Sequence, residues 1–257
     1  MFSGVFLLIY LCAPVFYIGI VQAALLDKLG TSAAIANLPA STYQLAQLAP
    51  LFVAWLVPHS KEQYAAMWAS IVTSVLTALV AVSLVVPCPN EVRIFAVIAH
   101  GLTQGVTGSV MLVFLIQCLK RGTSAEGQAR ALQFAFSAGP LMAVIGSLST
   151  QYLLNADLHW LPFPYAFALL YAFASPCALA GAWMAAQFRL EPIPEEPPKP
   201  LGEYLATAAR TFVKNRPLVM LFFAFLLWNC TLGAMSNLTL FTREAVGREP
   251  KDLAGWM

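Results

Sequence analysis

Residues 92–119 read VRIFAVIAHGLTQGVTGSVMLVFLIQCL, and this stretch decides the fold class. It holds one charged residue, Arg93, near its start and no acidic residue. A helix of this length rises about 42 Å at 1.5 Å per residue, more than the roughly 30 Å of hydrocarbon in a bilayer. The apolar residues do not alternate with polar ones, so a barrel strand is disfavoured. A helix that is apolar around most of its circumference belongs in a large core or in a membrane. Composition chooses the membrane: 60% of the chain is hydrophobic and 10% charged, against about 25% charged in soluble domains.

Working outward, six further runs have the same character, at approximately 5–25, 43–57, 64–86, 129–153, 163–188 and 217–241. The sequence therefore predicts an all-α, polytopic transmembrane helix bundle with about seven spans, and the lipid bilayer is its first partner. The first run could be a cleaved signal, since Val21-Gln22-Ala23 resembles a small-residue cleavage site. No Lys or Arg precedes Lys28, however, so the basic leader region is missing and a retained span is expected. A net charge of +2 gives no nucleic-acid surface. The five cysteines are scattered with no C-x-x-C pair, which supports neither a metal site nor a disulfide framework. No phosphate-binding glycine loop or other cofactor motif occurs.

Lys and Arg in the connections set the orientation. With the N-terminus inside, the cytoplasmic set is Lys61, Lys120, Arg121, Arg130, Arg189, Lys199, Arg210, Lys214 and Arg216. The outer set is Lys28, Arg93, Arg243, Arg248 and Lys251. The larger set predicts a cell (inner) membrane protein with a cytoplasmic N-terminus. One connection, 189–216, is long. It opens on a proline-rich stretch, Glu191-Pro192-Ile193-Pro194-Glu195-Glu196-Pro197-Pro198-Lys199-Pro200, which favours an extended spacer. Leu201, Tyr204, Leu205, Ala208 and Phe212 then recur at helical spacing, with Glu203 early and Arg210 and Lys214 late. That pattern predicts an amphipathic helix on the membrane surface. After the seventh run, a polar loop at 243–252 leads to Trp256, which reads as the approach to another span and the chain as a fragment.

Six spans, a long cytoplasmic linker and a renewed span resemble the major facilitator superfamily of secondary transporters. Gly30-Thr31-Ser32 with Leu45-Ala46-Gln47-Leu48-Ala49-Pro50-Leu51 is similar to that family's first outer loop and second helix. Gly127-Gln128-Ala129-Arg130-Ala131-Leu132 is similar to its cytoplasmic loop between helices four and five. Gly139-Pro140, followed by Gly146, resembles its glycine-proline motif in helix five. The family's loop between helices two and three is not retained: of its pattern, residues 54–62 keep only Leu56. The resemblance implies a six-helix bundle at 1–188, a linker with an amphipathic helix at 189–216, and the first helix of a second bundle at 217–257. It further implies alternating access for a small-molecule substrate, with a coupling ion as an optional partner.

Ionisable residues inside hydrocarbon are functional candidates by default. No Asp or Glu lies in the interior of a predicted span, and His100 is the clearly internal titratable group. Gln104, Thr107 and Met111 continue its stripe, while Gly101, Gly105 and Gly108 on an adjacent face permit close helix packing. Gly139 and Pro140 are assigned to packing in the fifth span. Tyr10, Pro14 and Tyr17 mark the first span, and Asn229, Gly233, Ser236 and Asn237 the seventh. The resemblance places helices one, four and seven along the central path, which makes His100, Gln104, Tyr10, Tyr17, Asn229 and Asn237 the candidate substrate contacts. Each has an alternative use as glue between helices. Two other functions compete with transport: a receptor or assembly factor on the same scaffold, and a membrane-embedded lipid-modifying enzyme. The enzyme would need clustered acid–base or metal-binding groups. His59, His100 and His159 are far apart in sequence, and an enzyme is not expected.

Overall fold

A computed structural model of the chain describes residues 1–17, 19–154, 161–191 and 200–246, with the backbone alone for 232–246. The linker segment 192–199, His159 and residues 247–257 lie outside these. Among the described residues the regular structure is helical, with no strand. Four helices are long and apolar enough to cross a bilayer: α7 (Glu62–Val85, preceded by a 3-10 turn His59–Lys61), α8 (Asn90–Gly122), α9 (Ala125–Leu154) and α10 (Tyr165–Ala185). A fifth candidate is the pair α11 (Leu201–Lys214) and α12 (Arg216–Val246), which is bent by 96°.

The two N-terminal runs are built differently from the single spans expected. Residues 5–25 fall across α1 (Phe2–Leu11), α2 (Ala13–Phe16) and α3 (Ile20–Lys28). Pro14 lies in the first turn of α2, where its missing N–H costs nothing. Tyr17 is extended at φ −85°, ψ 93° and ends α2. Beyond a short α4 (Ala33–Ala36), residues 43–57 divide between α5 (Leu38–Ala46) and α6 (Ala49–Leu56). Pro50 explains that division, because it cannot donate to the carbonyl of Ala46 four residues back. Apolar patterning shows neither interruption, since the side chains on both sides of each break remain hydrophobic.

The long helices pack as a chain of neighbours. α7 lies against α8 and α10; α8 also holds α5 and α6; α1 holds α9 and α10. Numbering the six hydrophobic stretches one to six from α1–α3 to α10, stretch one packs on five and four packs on two. Three packs on four and six on one, while three and six pack on each other. Exchanging one with four, two with five and three with six leaves these main pairings unchanged, although the smaller contacts of five with six and of four with five have no counterpart of that size. α12 stands apart, its main contact with the bundle being at α3, and the described side chains of its first half are largely uncovered. Phe95, Leu141, Trp68 and Trp183 point outward, as expected where hydrocarbon replaces water.

Candidate functional site

Between α7, α8 and α10 the apolar core is crossed by a seam of polar groups. α7 supplies Ser70, Thr73, Ser74 and Thr77; α8 supplies His100, Gln104, Thr107 and Met111. The helices run antiparallel, so the stripes pair across. Ser70 Oγ contacts Met111 Sδ at 3.0 Å, Thr73 Oγ1 and Thr107 Oγ1 are 2.7 Å apart, and Thr77 Oγ1 meets His100 Nε2 at 3.1 Å. Ser74 Oγ donates to the Ser175 carbonyl at 2.8 Å, and Ser175 Oγ donates to that of Ser74 at 3.0 Å. Three of these hydroxyls also reach their own helix: Ser70 donates to the Ala66 carbonyl, Thr77 to that of Thr73, and Thr107 to that of Thr103. Thr77 and Thr107 can serve both partners because a hydroxyl donates and accepts, whereas Ser70 shares one proton between the carbonyl and the sulfur.

His100 is the centre of the seam and is 1% exposed. Its ring meets that of Tyr171 edge-on, with centroids 5.4 Å apart and planes at 77°. Three buried side-chain atoms here have no hydrogen-bond partner among the described residues: His100 Nδ1, Gln104 Oε1 one helical turn further along α8, and the Tyr171 hydroxyl. Buried polar atoms are seldom left unpaired. The two on α8 are both acceptors, because Thr77 Oγ1 donates to its own helix and so receives the proton of His100 Nε2.

The first hydrophobic stretch is interrupted between Tyr17 and Gly19, and Gln22 bridges that break. Its Oε1 accepts from the Gly19 N–H at 2.9 Å, and its Nε2 donates to the Val15 carbonyl at 2.9 Å. The completely buried side chain thus pairs two backbone groups that a continuous helix would have paired by itself. Gln22 also lies beside the Tyr171 hydroxyl, outside good hydrogen-bond geometry, and so links the break to the seam. At the break Tyr17 is 49% exposed. The Tyr10 and Tyr17 rings are 6.3 Å apart, and Tyr43 of α5 is a further electrostatic neighbour of Tyr17. Gln47 lies beside the Tyr43 phenol. Aromatic faces, phenols and amides gather here without a carboxylate.

Close backbone approach fixes these parts. A Cβ on Gly101 would lie 2.7 Å from the Pro39 carbonyl oxygen, and one on Gly105 would strike the carbonyl of Tyr43 and sit 2.7 Å from Ala46 Cβ. Those two glycines seat α8 directly on α5. Gly108 meets only the amide of Gln104 on its own helix, at 3.3 Å. In the exchange-related interface, Gly139 of α9 lies under the Tyr10 ring and Gly146 against the Leu11 carbonyl. Pro140 lies within α9 without ending it.

The structure thus brings together Tyr10 with Tyr17, and His100 with Gln104. Asn229 is placed elsewhere: it bonds the Phe225 carbonyl of its own helix at 2.8 Å. The side chain of Asn237 lies outside the described residues. Sequence reasoning passed over Tyr43, Tyr171 and the stapling role of Gln22. Tyr43 and Gln47, four residues apart in an apolar run, carried a visible signal; the role of Gln22 could not be read before the break was seen.

A second polar cluster lies at the end of the bundle that carries the 57–62 and 120–125 connections. Glu62, 3% exposed, accepts from Arg121 Nη1 at 2.8 Å, and its other oxygen meets His59 Nδ1 at 2.8 Å. Arg121 also donates to the carbonyls of His59 and Glu191, at 2.5 and 2.6 Å, and Gln63 donates to the Ala186 carbonyl. One guanidinium therefore joins the start of α7, the end of α8 and the chain beyond α10. No protein-family model, curated protein or solved structure matches this chain.

Proposed function

We propose that this protein is a secondary transporter of the major facilitator type, moving a small molecule by alternating access. The observation that carries this reading is the exchange symmetry of the main pairings among the six stretches. Transporters of this type nest three-plus-three repeats within each six-span half. Two features add support. The first hydrophobic stretch is interrupted within its apolar run, as in transporters that bind substrate at broken helices. α12 makes its main contact with the bundle at α3, which suits the first helix of a second bundle across a central path. On this reading the N-terminus is cytoplasmic, and the protein resides in the cell membrane.

The substrate contacts assigned here are the accessible Tyr17 with Tyr10 and Tyr43, and Gln104 with its uncommitted oxygen. His100 serves by orienting that part of α8 from within the seam. Phenols, amides and ring faces suit an uncharged or weakly polar molecule. A compact ion would leave its charge unpaired there. Flux of a panel of neutral and charged small molecules, into proteoliposomes holding the complete gene product, tests the assignment. Saturable flux that Tyr17→Ala lowers about tenfold or more is expected, equivalent to about 1.4 kcal/mol of lost binding. Ligand binding with no flux across the panel would favour a receptor on the same scaffold.

A further inference from the structure

The elbow between α11 and α12 carries chemistry that the transport reading does not use. α12 begins at Arg216 and continues as an apolar helix, so its axis follows the span. The 96° bend at Asn215 turns α11 away from that axis and lays it close to the membrane plane. α11 is amphipathic, and none of its residues is buried. Leu201, Tyr204, Leu205 and Phe212 lie along one side, and Phe212 packs edge-on against Phe222 of α12 at 5.4 Å, bracing the bend. Inside the elbow is an open cavity of about 510 Å³ lined by Thr211, Lys214, Asn215, Arg216 and Pro217. Lys214 and Arg216 form no ion pair among the described residues, and Arg210 adds a third cation on α11. Asn215 Oδ1 is engaged, accepting from the Leu218 N–H at 3.4 Å.

We propose that this elbow binds the headgroup phosphate of an anionic phospholipid, in the leaflet on which α11 rests. Two unpaired cations and a hydroxyl surround a headgroup-sized space where a surface helix meets a span. The phosphate occupies that space between Lys214 and Arg216, and the acyl chains descend along the uncovered apolar side chains of α12, among them Leu218 and Leu221. Charge complementarity selects anionic over zwitterionic lipid, because each basic side chain near an anionic surface strengthens the association by about fivefold. The inference depends on α12 entering the bilayer and is independent of transport.

Native mass spectrometry of the purified full chain, released from nanodiscs of phosphatidylcholine with or without phosphatidylglycerol, tests it. Retention of phosphatidylglycerol over phosphatidylcholine is expected. Lys214→Gln with Arg216→Gln should lower that preference roughly twentyfold or more, whereas Lys214→Arg with Arg216→Lys should keep it. Arg130→Gln, an exposed cation on α9, serves as the surface-charge control and should leave it unchanged. Equal retention of the two lipids, or a preference that survives the double Gln substitution, overturns the proposal. So does displacement of the bound lipid by millimolar inorganic phosphate, which would make the elbow a site for a soluble anion.

Discussion

His100 and Gln22 are both polar residues in apolar runs, yet they are held for different reasons. His100 Nε2 meets Thr77 Oγ1, and its Nδ1 has no hydrogen-bond partner among the described residues. Thr77→Val preserves shape and removes that partner, stranding the imidazole. The expected cost is about 1–3 kcal/mol, read as a lower melting temperature in detergent with transport per folded molecule nearly unchanged. If His100 instead met substrate directly, flux would fall while stability held. Gln22→Leu strands two groups at once, the Gly19 N–H and the Val15 carbonyl. It should cost more than Thr77→Val in the same assay, and a melting point within error of wild type would refute the staple. The His100 stripe was legible because four polar or soft residues recur along one face of an otherwise apolar helix. Its partners were not, because Thr73 and Thr77 are ordinary in a membrane helix until the facing strip is known.

Among the elements, α7 to α10 were readable because each apolar run is long enough to cover the thickness of a bilayer. Pro140 and Pro176 lie inside α9 and α10, and both helices continue through them. The divided spans needed information that hydropathy does not carry: Pro14 and Pro50 set helix starts, and Gly19 lies in the break. Helix seating gives a graded prediction. Gly105→Ala drives a methyl into the α5 backbone and Gly146→Ala does so at α1, so each should destabilise by about 1–3 kcal/mol through overpacking. Gly108→Ala should be much milder, because only the flexible amide of Gln104 must move. Gly202→Ala supplies the opposite sign. Nothing lies within 4 Å of an added Cβ there, and replacing a helical glycine should strengthen α11 by about 0.5–1 kcal/mol. Equal losses at Gly105 and Gly108, by thermal unfolding of the purified protein, would sink the packing assignment.

At the scale of the molecule, charge is sorted to opposite ends of the bundle. Arg121 gathers the starts and ends of α7, α8 and α10 at one end, while Arg93 bonds the Ser83 carbonyl at the other. Lys61, Lys120, Arg121 and Arg189 lie on the connections at the first end, and Arg130 lies early in α9 nearby. The greater share of Lys and Arg belongs on the cytoplasmic side. On the proposed orientation, that side holds the Glu62–Arg121 pair and α11. Arg121→Gln should cost about 3–5 kcal/mol, since it leaves Glu62 buried without its strongest partner. Orientation itself is tested by single cysteines at Ser124, between α8 and α9, and at Pro87, between α7 and α8, in a cysteine-free background. An impermeant thiol reagent applied to intact cells should label Pro87→Cys and spare Ser124→Cys, with both labelled after permeabilisation. Labelling of Ser124→Cys alone would invert the molecule, placing α11 and its cations on the outer leaflet. Labelling of both in intact cells would mean that α8 does not span, and the bundle order would have to be redrawn.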